Sequence, residues 1–246
     1  MKGHLIRNFN FLLIALMGIS FSCEKVEIDY TNIEIVSKSQ EIPGYLYKVN
    51  GNQEDSTAII PCKLYVRGGA PDHDKGDYHF KIAQGFVLPG GLVLDSLTGV
   101  IGHGDESIST EAGNYEFAVE VSDGIKTTIS GCVLKVRYPE PGRFTLPAFQ
   151  FSSPETNFIS NKGSEYFAVS FGVMGGVPPY SFSVAKKQKL PGKLSLNPLT
   201  GVIAGNISKL DYGQYPFTIE CTDATGAKAI SFCTAQNHED FVLIIK

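Results

Sequence analysis

Tryptophan is absent from this chain, and only three methionines and five histidines occur among its 246 residues. Without tryptophan, any stacking platform for a sugar falls to tyrosine. Lysine and arginine number 21 against 25 acids, a formal charge of −4, so no basic excess exists to displace counterions from phosphates and nucleic acid is excluded as a partner. No apolar run approaches the roughly 20 residues that a spanning helix needs. No G-x-S-x-G elbow is present, and Ser, His and Asp are scattered through loops without the arrangement of a nucleophilic triad. His73, His79 and His103 lack the spacing of a zinc site. What is plentiful is phenylalanine (16), tyrosine (11), glycine (26) and proline (13) in a chain that is 43% hydrophobic. Turn residues recur every ten or so positions, which predicts short strands and a substantial core.

The first 22 residues read as an address. Lys2, His4 and Arg7 precede an almost wholly apolar stretch from Phe9 to Ile19, and small residues lead to Cys23. The segment ISFSC resembles a bacterial lipobox, which implies that Cys23 becomes the lipidated first residue and that a membrane is a partner through that anchor. Phe21 departs from the pattern, and an ordinary cleaved signal is the alternative. Removing residues 1–22, with Lys2 and Arg7, leaves 224 residues at a formal charge of −6. The expected location is the bacterial cell envelope, on the outer membrane, with the face undetermined, and residues 23–29 serve as a tether.

A repeat organises the remainder. LPGGLVLDSLTGVI from Leu88 and LPGKLSLNPLTGVI from Leu190 share ten of fourteen residues at an offset of 102. VRGGAP from Val66 aligns with VMGGVP from Val173, and GNYEFAVEVSD from Gly113 with GQYPFTIECTD from Gly213, in the same order. Two copies of one domain follow, at 30–139 and 143–246, joined across 140–142 within the proline-rich stretch YPEPGRFTLP. Ile60, Cys62, Leu64 and Val66 alternate with other residues, as do Tyr115, Phe117, Val119 and Val121, and Tyr215, Phe217, Ile219 and Cys221. Such period-two patterns are half-buried strands. About seven of them in roughly 105 residues predict an all-β chain of two tandem immunoglobulin-like or cadherin-like sandwiches.

The runs LPxxLxLxxxTGVI and GxYxFxxExxD resemble the putative immunoglobulin domain of bacterial surface proteins, related to dystroglycan-type cadherin-like modules. That resemblance implies an adhesion, binding or spacer module and no enzyme. The residues support a structural reading of the same motifs: Leu92, Leu94, Val100 and Ile101 supply core, and Asp95 or Asn197 accepts from backbone NH groups of the turn closed by Thr98-Gly99 or Thr200-Gly201. The Tyr166-Phe167 and Phe149-Phe151 clusters are expected in the second core or the contact between domains.

One loop invites a cation. APDHDKGDYHF places Asp72, Asp74 and Asp77 around Gly76, a spacing that can turn several carboxylates on calcium, and A-x-D-x-D-x-G resembles the cadherin loop that does so. Asp123, at the tip of a hairpin expected at the same end, is the fourth candidate. Against it, the second copy replaces the loop with GGVPPY, and the alternative is a solvated acidic loop. No other cofactor is expected. Tyr65 is expected to face outward between Leu64 and Val66 and is the best single sugar platform. Each domain is expected to be spent on its own core, leaving no cleft for catalysis.

Five cysteines divide into Cys23 of the anchor and four others. In an exported chain, Cys62 and Cys132, on an early and the last strand of the first domain, are expected to bridge. A Cys221–Cys233 bridge is the weaker expectation, because a hairpin turning at Thr225-Gly226 pairs Cys221 near Ile230 and leaves Cys233 about three residues, near 10 Å, out of register. The functional expectation is a non-catalytic, lipid-anchored adhesion or ligand-binding module whose partner is a glycan or a surface or matrix protein. A structural spacer partnering another envelope protein is the alternative.

Overall fold

The computed structural model of the chain describes residues 33–35, 40–48, 55–88, 91–103, 113–137, 149–153, 155–231, 233–234, 237–238 and 240–246. Cys23, the expected export segment 1–22 and the expected connector 140–142 lie outside them. Among the described residues no helix is long and apolar enough to cross a membrane; the helical element is one 3-10 turn, His73–Lys75.

The alternating segments become strands. The first repeat forms β1 (Glu34–Ile35), β2 (Gln40–Lys48), β3 (Asp55–Ile59), β4 (Cys62–Lys63), β5 (Val66–Arg67), β6 (His79–Ile82), β7 (Leu92–Leu94), β8 (Val100–His103), β9 (Gly113–Ser122) and β10 (Thr127–Arg137). The second forms β11 (Gln150–Phe151), β12 (Asn157–Ser160), β13 (Tyr166–Ser170), β14 (Val173–Met174), β15 (Ser181–Val184), β16 (Lys193–Leu196), β17 (Val202–Asn206), β18 (Gly213–Phe217), β19 (Ile219–Thr222), β20 (Lys228–Ile230), β21 (Cys233–Thr234), β22 (Asn237–His238) and β23 (Phe241–Ile245). One layer of the first repeat is the sheet β3-β2-β10-β9-β6, in which β2 runs parallel to β10. The second repeat splits the same layer into β12-β23-β18 and β15-β19-β20. Between β20 and β23 the chain leaves the ladder and forms the small β21-β22 hairpin.

The facing layers do not stay within their own repeats. β4 and β5, two stretches of one strand, pair antiparallel with β14 and β13: Cys62 opposes Met174, Lys63 opposes Val173, Val66 opposes Ser170 and Arg67 opposes Val169. Since Val66 corresponds to Val173 in the repeat, Cys62–Met174 and Arg67–Val169 are one pairing seen from its two ends. The repeats are therefore related by a local twofold through a shared pair of strands, the intramolecular version of an isologous interface. Outside this pair, β8 and β7 extend from β4 while β17 and β16 extend from β13, and β1 and β11 flank β5 and β14.

Packing follows the same exchange. The first core gathers Cys62, Leu64, Val66, Phe80, Ile101, Phe117, Val119 and Val121 but also Ala168, Val202 and Ala204 of the second repeat. The second core gathers Phe151, Phe158, Phe167, Val169, Phe171, Val173, Phe217, Phe241 and Leu243 but also Tyr65 and Val100 of the first. Val100 and Val202 occupy equivalent positions, and each is buried in the other repeat's core; burying one valine contributes about 1.5–3 kcal/mol. Tyr65, expected outward, is buried instead, and its hydroxyl donates to Glu155 Oε2 at 2.8 Å while Arg67 pairs with the same carboxylate. The side that faces away from one core faces into the other. The aromatic clusters fall as expected: Phe151 and Phe167 are in the second core, and Phe149 stacks on Tyr180 at 5.6 Å.

The repeated motifs are turn chemistry. Leu97 and Thr98 NH groups donate to Asp95 Oδ1 at 2.9 and 2.7 Å, and Leu199 and Thr200 NH groups to Asn197 Oδ1 at 3.0 and 3.4 Å. Gly99 and Gly201 close these turns at φ +69° and +68°, where an added Cβ would lie 2.7 and 2.8 Å from the Phe80 and Phe182 rings. Both backbone sign and space require glycine there.

Candidate functional site: a groove between the repeats

The twofold sets the loop that follows each glycine pair against the opposite repeat's turn. The loop of the first repeat, from Gly69 to Tyr78, meets Asn197–Gly201; the loop of the second, from Gly176 to Tyr180, meets Asp95–Gly99. In both repeats a tyrosine fastens its loop, Tyr78 donating to Gly68 O at 2.6 Å and Tyr180 to Gly175 O at 2.7 Å. An aspartate clamps each loop to the neighbouring hairpin. Asp123 accepts from the NH groups of Ala70, Ile125 and Lys126 at 2.8, 2.9 and 2.7 Å. Asp223 accepts from those of Val177, Thr225 and Ala227 at 2.9 Å each. This explains the last residue of the GxYxFxxExxD motif. Burial pulls the Asp123 carboxyl up, and the backbone donors outweigh it, holding the group below its ordinary range.

The loops differ in length: eight residues separate Gly69 from Tyr78, and three separate Gly176 from Tyr180. The longer one fills its junction. Asp77, 2% exposed, accepts from Asn197 Nδ2 at 2.8 Å, from the Thr200 hydroxyl and from the His73 ring, which faces Ser195 O at 3.3 Å through its other nitrogen. Tyr166 donates to Pro71 O at 2.8 Å.

The shorter loop leaves the equivalent junction open, as a groove of about 840 Å³. Pro61, Val93, Leu97 and Val100 line it from the first repeat, and Val177, Pro178, Pro179, Tyr180, Phe182 and Leu199 from the second. Val177 and Leu199 are 49% and 53% exposed, so the groove presents apolar side chains to solvent. Three polar side chains interrupt it: Lys63, Asp95 and Thr98. Lys63 is 1% exposed, donates to Ser170 Oγ at 2.5 Å and lies 5.8 Å from the centre of the Phe182 ring. Burial brings its amine down to about 7.

This geometry bears on three expectations. Three of the four candidate calcium ligands, Asp72, Asp77 and Asp123, already accept from donors within the protein. Asp123 does lie beside the loop, but its oxygens are taken by backbone NH groups; Asp77 is taken by Asn197, Thr200 and His73; Asp72 accepts from Asp74 N at 3.0 Å and pairs with Lys75 at 3.2 Å; Asp74 is exposed. Among the described residues no group of three or more His, Cys, Asp or Glu is placed to hold a metal. Second, Cys62 and Cys132 are both buried in the first core. Third, a cleft exists, because it is built between the domains and not within either. In the second repeat Cys221 opposes Ala229, four residues before Cys233, and is a buried thiol whose ionisation burial pushes up to about 12. The side chain of Cys233 lies outside the described residues. Lys63 escaped the sequence reading; the one signal for it is a lysine inside the apolar strand segment IIPCKLYV.

Two immunoglobulin-like sandwiches in one chain define the class of protein. The chain belongs to the He_PIG family, described as "Putative Ig domain", whose profile matches residues 53–138 and again residues 141–236. No curated protein matches it. Among solved structures the chain is similar to Drosophila N-cadherin EC1-4, at 14% identity over 84% of this chain and 48% of that one with a TM-score of 0.31. It is similar to the N-terminal Ig1-2 module of the Drosophila receptor protein tyrosine phosphatase DLAR, at 12% identity over 87% of this chain and 98% of that one with a TM-score of 0.26. A third likeness is to the endo-fucoidan hydrolase MfFcnA4 of glycoside hydrolase family 107, at 14% identity over 87% of this chain and 28% of that one with a TM-score of 0.31. The chain spans less than half the length of the cadherin fragment and of the hydrolase.

Proposed function

We propose that this protein is a non-catalytic ligand-binding or adhesion module of a bacterial cell envelope, held to the membrane by a lipid on Cys23, with the groove between its repeats as the binding site. The observation that carries this reading is the 840 Å³ groove whose apolar walls come from both repeats. Sites for ligands are concave, mostly apolar and furnished with few polar groups, and this one fits that description. A rigid spacer would present a polar surface and an extended pair of domains; the shared strands and the exposed Val177 and Leu199 argue for the binder. A protein ligand suits the lining better than a glycan does, since Tyr65 is buried and the groove offers few hydrogen-bonding groups.

A glycan and matrix-protein array, probed with and without calcium by the chain and by Val177→Trp, tests the reading. A ligand retained by the parent, lost by the tryptophan variant and indifferent to calcium is expected. A uniformly blank array moves the account to the spacer. Protease shaving of intact cells assigns the membrane face: release places the protein outside, and resistance places it on the periplasmic side.

A further inference from the structure

The two junctions are copies of one another, and the filled one displays what its twin can hold. At the filled junction the occupant is a polypeptide loop: Pro71 carbonyl faces Tyr166, the His73 ring faces Ser195, and Asp77 brings a carboxylate onto Asn197 and Thr200. At the open junction the residues equivalent to Asn197 and Thr200 are Asp95 and Thr98, and both line the groove. The turn there has the same backbone and the same cap, but the amide that donates to Asp77 is replaced by a carboxylate oxygen that can only accept. Burial pulls the Asp95 carboxyl up, and the Thr98 and Leu97 NH groups outweigh it, holding the group below its ordinary range.

We propose that the open groove takes a short loop of a partner protein, seated as residues 70–77 are seated in the twin junction, with a hydrogen-bond donor or cation at the position where Asp77 carries its acid. The inference rests on the reading of the groove as a ligand site and names its occupant. The walls select a compact, backbone-rich loop, and Asp95 selects against an acid at the position of Asp77 by like-charge repulsion. The shorter loop leaves this junction open, and the change from Asn197 to Asp95 reverses the charge it accepts there.

The test uses the full chain and a head-to-tail cyclic peptide with the sequence of residues 70–77, carrying Asp or Asn at the position of Asp77, titrated by calorimetry. The parent is expected to bind the Asn peptide about tenfold more tightly than the Asp peptide. Asp95→Asn, which keeps the cap because Asn197 makes the same one, is expected to reduce that preference to less than about twofold. Val177→Trp is expected to abolish binding of both. A preference unchanged by Asp95→Asn overturns the proposal, as does the absence of peptide binding. If peptides fail while a glycan on the array still responds to Val177→Trp, the groove remains a ligand site and the loop inference alone falls. If nothing responds to Val177→Trp, both readings fall.

Discussion

Lys63 is a cation held where water barely reaches, and its proton links the interface to pH. In the unfolded chain its amine titrates near 10.5; in the fold burial brings it to about 7. Below pH 7 both states carry the proton and the fold bears the full penalty of a buried charge. Between 7 and 10.5 the unfolded chain holds the proton that the fold releases, so stability rises with pH. At about 1.4 kcal/mol per unit, the total is on the order of several kcal/mol. Cys221, held to about 12 against 9 in the unfolded chain, works in the opposite sense above pH 9. Chemical denaturation of the parent minus that of Lys63→Met is therefore expected to show a gain from pH 7 to 9, and a flat difference contradicts it. Gly99→Ala and Gly201→Ala test the turns. Each forces a side chain into positive φ and against a phenylalanine ring, and each is expected to cost about 2 kcal/mol or more in thermal melts.

At the scale of elements, the loops and turns divide into a closed and an open junction, and the closed one is sensitive to charge. Asn197→Asp would set two carboxylates together, one of them the buried Asp77. It is expected to destabilise the fold by about 1–3 kcal/mol at neutral pH, with partial recovery on acidification, whereas Asp95→Asn is expected to be near neutral; equal effects in melts contradict the assignment. Much of this level could be read in the sequence. The caps at Asp95 and Asn197, the alternating strands and the break in register before Cys233 are local, because a turn or a period-two pattern is written within a dozen residues. The pairing of β4 and β5 with β13 and β14 is not local, since alternation assigns a side chain to a face without saying what lies on the other face. Tyr65 looked outward for this reason. The available signal was the nearly continuous apolar run FAVSFGV from Phe167, which suits a strand buried on both faces better than a half-exposed one.

Across the whole molecule, the shared strands make the two repeats one unit. Separating them would uncover Val100 and Val202, break the Tyr65 and Arg67 contacts with Glu155, and leave the edges of β4, β5, β13 and β14 unpaired. Scanning calorimetry of the full chain is expected to give one transition with equal calorimetric and van't Hoff enthalpies. Two separated transitions would mean independent domains and no built groove.

The groove is the feature on which function turns, so the most direct test locates an occupant in it. Amide resonances of the chain are followed while the Asn-bearing cyclic peptide is added. Saturable shifts centred on Val93, Thr98, Val177 and Tyr180, with Asp77 and Thr200 unmoved, are the predicted result. Shifts centred elsewhere, or none, contradict the account.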